Sequence, residues 1–156
     1  MAEQSLLHEE HVHSDWVDYN GHMNDAEYAK VFSLAANGFI DYIGLNADGR
    51  EKYAYTVFTL ETHLCYLKEA HENEKLLTGV QLLDSDAKRL HLFFIMKNSE
   101  GDVLATSEQM LMGMDSASGR PAPFPTAVAA VIEKVQSLHS QLEIPPQTGR
   151  KIGIRR

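Results

Sequence analysis

The sequence predicts an α+β domain: one long, mostly buried helix wrapped by a curved antiparallel sheet of about five strands, plus a C-terminal helix. Three observations carry that reading. Residues 24–43 are apolar on nearly every side, leaving only a thin polar stripe of Lys30, Ser33, Asn37 and Asp41 at helical spacing. Four segments after it have the alternation of strands and are joined mostly by short, turn-forming loops. Beyond the irregular, proline-containing stretch 116–125, Val128, Val131, Ile132, Val135, Leu138 and Leu142 return to a helical stripe.

Taken in order, residues 8–17 read as a first strand. Period-two geometry puts His11 and His13 on one face and His8 on the other, and no familiar zinc spacing surrounds them. The long helix follows, with Asn24 as N-cap, Asp25 and Glu27 in the first turn and Gly44 as the stop. Asn46-Ala-Asp-Gly49 reads as a turn. Strands are expected at 53–68, 75–84, 89–98 and 103–115. In the first of these, Phe58, Leu60, Leu64 and Tyr66 share one face and Glu61, His63 and Cys65 the other. Leu90, Leu92, Phe94 and Met96 share a face, as do Leu104, Met110, Met112 and Met114. Glu108 stands among those methionines, which is unusual for a carboxylate unless it has a partner or meets a cation. Pro145-Pro146 ends the second helix. The organisation expected is a single domain over 1–144 and a tail over 145–156, either flexible or an arm reaching a partner or ligand.

With 156 residues the chain can bury a core without disulfides or metals. Its one cysteine, Cys65, suits a reducing compartment, and it has neither a confident basic neighbour nor a helix start to activate it. Residues 1–15 contain no apolar signal-type stretch, and no run approaches the roughly 20 apolar residues that span a bilayer. The expectation is a cytoplasmic protein with no membrane partner. A formal charge of -8 argues against nucleic acid as partner. An anionic ligand would need a local basic cluster, such as Lys88-Arg89 or the tail residues Arg150, Lys151, Arg155 and Arg156.

Chemistry concentrates between the first strand and the helix, in Trp16-Val-Asp-Tyr-Asn-Gly-His-Met-Asn-Asp-Ala-Glu-Tyr28. Asp18, Asn20, His22 and Asn24 recur at every second position of a turn, a set of side chains that a solvated loop does not require. A carboxylate, an imidazole and the free N–H groups of a helix start together suit acyl transfer. Asp18 would attack or deprotonate water, His22 and Asn20 would orient, and Gly21 supplies a positive φ or a close approach. The plain alternatives are an Asp capping its own turn, turn-forming amides, and Asn24 as a helix cap.

The segment from Asp18 to Tyr28 resembles the D-x-N-G-H-x-N-x-x-x-Y signature of hotdog-fold acyl-thioester hydrolases. Among these are 4-hydroxybenzoyl-CoA thioesterase-like enzymes and the catalytic half of plant acyl-ACP thioesterases. Tyr66-Leu-Lys-Glu-Ala70 is similar to their Y-x-x-E-A/C segment. More loosely, Glu61-Thr-His63, Glu108-Gln109 and Gly149-Arg-Lys-Ile-Gly153 resemble the betainyl-CoA thioesterases encoded beside or fused to carnitine dehydrogenase. The resemblance implies a hotdog fold and hydrolysis of a small acyl-CoA, without cofactor or metal, by Asp18, Asn20 and His22. It also implies a homodimer or homotetramer with sites between subunits. Glu69 falls where the plant-type enzymes carry a second carboxylate. Asn24, Tyr28, Glu61, His63, Glu69 and Arg150 are the substrate-binding candidates, and the aromatic rings near the motif would suit a quaternary ammonium group. Two other readings stand beside this one: a non-catalytic acyl-CoA-binding module, and a hotdog hydratase, whose GD-x-N-x-H-type segment is missing here.

Overall fold

Helix α1 (Asp25–Ile40) carries Tyr28, Val31, Phe32, Ala35, Ala36 and Phe39 into the interior of the computed structural model, which describes residues 5–156. These positions span two adjoining helical faces, so the sheet must curl around the helix to cover them. The expected continuation to residue 43 takes a different form. Asp41–Leu45 is a wide π-type turn in which Gly44 adopts φ 105°, a conformation that favours glycine. Ile43 and Leu45 still reach the core from it.

The expected turn at 46–49 is instead the start of helix α2 (Ala47–Tyr53). Asn46 Oδ1 accepts the Gly49 N–H at 2.9 Å as a side-chain cap. Asp-Gly reads as a turn in sequence because glycine disfavours helix, but here the glycine answers a steric demand. A Cβ at residue 49 would lie 2.0 Å from the Gly44 carbonyl oxygen.

The antiparallel sheet has the order β1-β3-β4-β5-β2, where β1 is Ser5–His11, β2 Tyr55–Tyr66, β3 Lys75–Ser85, β4 Arg89–Lys97 and β5 Val103–Asp115. A two-residue β6 (Arg120–Pro121) pairs with the end of β5. This is the hotdog architecture that the motif implied. Strand β1 stops at His11, short of the expected residue 17, and the chain bends through a 3-10 turn at Ser14–Trp16. Because of that bend His8 and His13 do not point apart: both rings approach the Glu10 carboxylate at 2.8 Å. Those bonds hold the Glu10 carboxyl below its usual range against the opposing effect of desolvation.

Leu90, Leu92, Phe94 and Met96 of β4 are fully buried, as their alternation predicts. Each side chain of that size stabilises the fold by roughly 1.5–3 kcal/mol when buried. Alternation fails at irregularities. A register shift between Thr59 and Glu61 moves Phe58 onto the outer face with Glu61, His63 and Cys65, leaving Val57, Thr59, Thr62 and Leu64 facing α1. A second shift near Leu104 separates that core residue from Met110 and Met112, which stand on the outer face. Glu108 is on that face too and has partners: His91 Nε2 at 2.6 Å and the Gly149 N–H at 2.8 Å.

Helix α3 (Thr126–His139) packs against β3 and the π-type turn, burying Val128, Ile132, Val135 and His139. It ends at His139, ahead of the two prolines, and Leu138 is largely exposed. The chain then crosses the outer face of the sheet. Gln81 Nε2 donates to the Glu143 carbonyl at 3.1 Å, Pro145 is buried, and Gly149 meets Glu108. Among the described residues no helix is long and apolar enough to cross a membrane.

His139 ties α3 to the sheet, since its Nδ1 accepts the buried Leu82 N–H at 2.9 Å. Only a ring unprotonated at Nδ1 can accept, and burial lowers the pKa below its ordinary 6.5. The stability from a neutral His139 is therefore complete above the unfolded value and lost as pH falls through the lower folded value. Urea titrations should find His139→Gln less stable than the unmodified chain by about 1–3 kcal/mol at pH 7.5. The gap should narrow towards pH 5; a pH-independent gap would refute this role.

Candidate active site

The motif forms a small closed hairpin in front of α1. Val17 bridges Met23, the Asp18 N–H donates to the His22 carbonyl at 2.9 Å, and the Gly21 N–H donates to the Asp18 carbonyl at 3.0 Å. Gly21 takes φ 76°, and a Cβ there would meet nothing within 4 Å, so its need is conformational, not steric. Asp18 Oδ1 accepts from the N–H groups of Asn20 at 2.8 Å and His22 at 3.1 Å. The plain reading of Asp18 as a turn cap is thus true of one oxygen. Its Oδ2 takes no part in those bonds, so the carboxylate is locked in orientation while keeping an oxygen for chemistry.

The hairpin is fastened to the segment between β2 and β3. Met23 N–H donates to the Ala70 carbonyl, Glu72 N–H to the Gly21 carbonyl, and His22 bridges His71. Upstream, Val12 exchanges backbone bonds with Asn73 and Glu74. Trp16, 5% exposed, anchors the hairpin from below. His13 stacks on its ring at 4.2 Å, and Lys30 of α1 lies 5.2 Å from the ring centroid.

This fastening brings in Glu69, whose Oε2 is 3.2 Å from His22 Nδ1. It also brings in His71, whose ring is edge-on to His22 with centroids 5.0 Å apart and whose backbone N–H donates to Glu74 Oε1 at 3.0 Å. Glu69 is a candidate from sequence, whereas His71 carries no signal there beyond its closeness to the Tyr66–Ala70 match. Asp18, His22, Glu69 and His71 therefore share one surface beside the start of α1.

Other candidates are placed differently. Asn24 has extended N-cap angles, φ -64° and ψ 144°, yet its exposed side chain makes no cap bond. Tyr28 is 4% exposed, and its hydroxyl oxygen accepts the Ala70 N–H at 3.0 Å. It supports the fastening segment from inside, and burial raises its pKa. Glu61 and His63 stand on the outer sheet face, away from the motif within one chain. Arg150 is exposed and follows Gly149 on that same outer face. At the helix start the Asp25 carboxylate accepts the Ala26 N–H at 2.9 Å, and Glu27 N–H donates to the Asn24 carbonyl. A substrate oxygen that uses the Ala26 N–H must displace the exposed Asp25 side chain. Among the described residues no cluster of His, Cys, Asp and Glu is arranged to hold a metal ion.

Residues 12–132 match the family described as the thioesterase-like superfamily. A Pseudomonas aeruginosa betainyl-CoA thioesterase is 39% identical over 99% of this chain and 98% of its own length. A Rhizobium meliloti L-carnitine dehydrogenase/betainyl-CoA thioesterase is 37% identical over 93% of this chain, which spans 29% of that longer protein. A Staphylococcus aureus protein solved in complex with CoA is 35% identical, covers 97% of each chain and superposes with a TM-score of 0.91.

Tyr28→Phe tests the support beneath the site. It removes the acceptor of the buried Ala70 N–H, so unfolding free energy should fall by about 1–3 kcal/mol. Hydrogen exchange at Ala70 should quicken; unchanged protection would show that the bond does not hold the segment.

Proposed function

We propose that this chain, which belongs to the thioesterase-like superfamily, hydrolyses a small acyl-CoA to the free acid and CoA, with betainyl-CoA as the first substrate to try. The betainyl group comes from the relatives' names. The observation that supports hydrolysis is an Asp18 carboxylate fixed by two backbone N–H groups, beside His22–Glu69 and the start of α1. Asp18 Oδ2 takes a proton from water, or attacks the thioester carbon itself. His22, oriented by Glu69, and Asn20 hold the water or the carbonyl. Positive charge at the helix start stabilises the oxyanion, a contribution of about 3–4 kcal/mol per donor in well-formed sites. Collapse then breaks the C–S bond and releases the CoA thiolate, leaving the free acid where water attacked, or a mixed anhydride on Asp18 that a water molecule then hydrolyses to the acid.

The working form in this reading is a homodimer or larger assembly. Strand β2 is an open edge of the sheet, and Phe58 and Leu60 on it are 59% and 49% exposed. Unprotected edges with apolar side chains favour pairing with another chain. A second copy at that edge would also bring Arg150, one strand in from it, towards a neighbouring site, where its fork of donors suits a CoA phosphate. Glu61 and His63 would enter the same junction.

Asp18→Asn keeps the turn's side-chain size but loses the base, so kcat on the best CoA ester should fall by about 100-fold or more with folding unchanged. His22→Ala and Asn20→Ala should cost less. Near-normal turnover by Asp18→Asn would exclude this mechanism, and absence of thiol release from any CoA ester would favour the non-catalytic acyl-CoA-binding reading. Truncation after residue 149 should raise KM for a CoA ester, with kcat nearly unchanged, and spare a short thioester that lacks the nucleotide. An equal response of both substrates would remove Arg150 from the site.

A further inference from the structure

We infer that Ser107 and Gln109 on β5 select the acyl group, favouring acyl groups that carry polar atoms over plain hydrocarbon chains. This rests on the thioesterase reading above. A cleft of about 570 Å³ separates the open flank of α1 from the inner faces of β2 and β5. Its helical wall extends from Ala29 to Ile40, about 16 Å at the rise of an α-helix. Ala29 stands roughly 6 Å from Asp25 by the same measure. At this end Tyr66 Oη donates to the Asp25 carbonyl at 3.2 Å, drawing the end of β2 onto the helix start. Leu64, two residues earlier on the same strand, lines the cleft. An acyl group whose carbonyl lies at the start of α1 therefore continues into this space.

The lining contains no Asp, Glu, Lys, Arg or His. Phe32, Ala36 and Ile40 of α1 give apolar surface beside Ser33 and Asn37, while the opposite floor sets Val57 and Leu64 beside the hydroxyls and amide of Thr59, Thr62, Ser107 and Gln109. Within that floor Ser107 and Gln109 are unusual. They are 0% and 5% exposed and point to the same side of the sheet as Leu92 and Leu111. Apolar side chains at both positions would serve the core equally well. Gln109 Nε2 donates to Ser107 Oγ at 3.0 Å, which fixes the carboxamide plane and uses part of its hydrogen-bonding capacity. Gln109 keeps the accessible surface of the pair, and Ser107, fully covered, acts by orienting it. A hydrocarbon chain lying against that carboxamide covers its remaining capacity without replacing it, and that costs affinity. A hydroxyl, an amide or a cationic head near the thioester restores a partner or a favourable charge–dipole contact. Sites built this way reject analogues that lack the matching polar group far more strongly than apolar pockets reject an extra one.

The test compares kcat/KM for betainyl-CoA and 3-hydroxybutyryl-CoA with that for butyryl-CoA, in the unmodified chain and in Ser107→Ala/Gln109→Leu. The polar-to-aliphatic ratio should fall by about ten-fold or more, mainly because butyryl-CoA improves. A ratio that moves by less than about two-fold overturns the inference. Gln109→Met, closer in shape, stands in if the double variant does not fold. Equilibrium binding of the same esters in an Asp18→Asn background gives a second readout that needs no turnover. There, tighter butyryl-CoA binding on adding the two apolar replacements supports the inference, and unchanged relative binding overturns it. Failure of the unmodified chain to hydrolyse all three esters counts against the thioesterase reading, while the binding comparison still decides the selector.

Discussion

The burial of α1 is the constraint on which the rest of the structure depends. A helix apolar on two adjoining faces cannot rest on a flat surface, and Phe32 and Phe39, each 1% exposed, need cover from different directions. The sheet supplies it by curling, with β3 and β4 giving Leu82, Leu92, Phe94 and Met96. Wrapping has a limit, since five strands do not close around a helix. The open side falls at β2, where the cleft and the exposed edge lie together. The covered interior and the accessible acyl space are two consequences of one geometry.

The same constraint fixes where the motif stands. Helix α1 begins at Asp25, two residues beyond Met23 at the end of the hairpin, so the hairpin at residues 17–23 lies against the helix start and the β2–β3 connection at once. Backbone bonds to Ala70, Glu72, Asn73 and Glu74 and the Tyr28 hydroxyl hold these pieces together. Such fixing matters for chemistry because a catalytic carboxylate must keep its orientation to within small tolerances. Backbone bonds do this without occupying the reactive side chains.

The two sheet faces divide the labour. The C-terminal strap crosses the outer face, with Gln81 on the Glu143 carbonyl and Glu108 between His91 and the Gly149 N–H. The inner face carries the core and, at its open side, the Ser107–Gln109 pair. Adjacent residues of β5 thus serve unrelated ends: Glu108 fastens the tail outside while Gln109 looks into the cleft. Only the pleat of the strand separates the two duties.

The sequence by itself determined the wrapped helix, the antiparallel strands after it and the identity of the motif, because periodicity and turn chemistry are local properties of a chain. It also placed Gly21 and Gly44 correctly at positive φ or a helix end. Tertiary structure alone decided which face the side chains took where the strand pairing shifts register. The irregularities at Leu60 and Leu104 reset the alternation, and nothing in the local sequence marks them, since they answer strand pairing across the sheet. Helix α2 was hidden because its glycine, unfavourable to helix locally, is required by the approach of the Gly44 carbonyl. The meeting of His22 with Glu69 and His71 was likewise beyond a linear reading, because residues so far apart in the chain meet only through the long-range pairing that folding supplies.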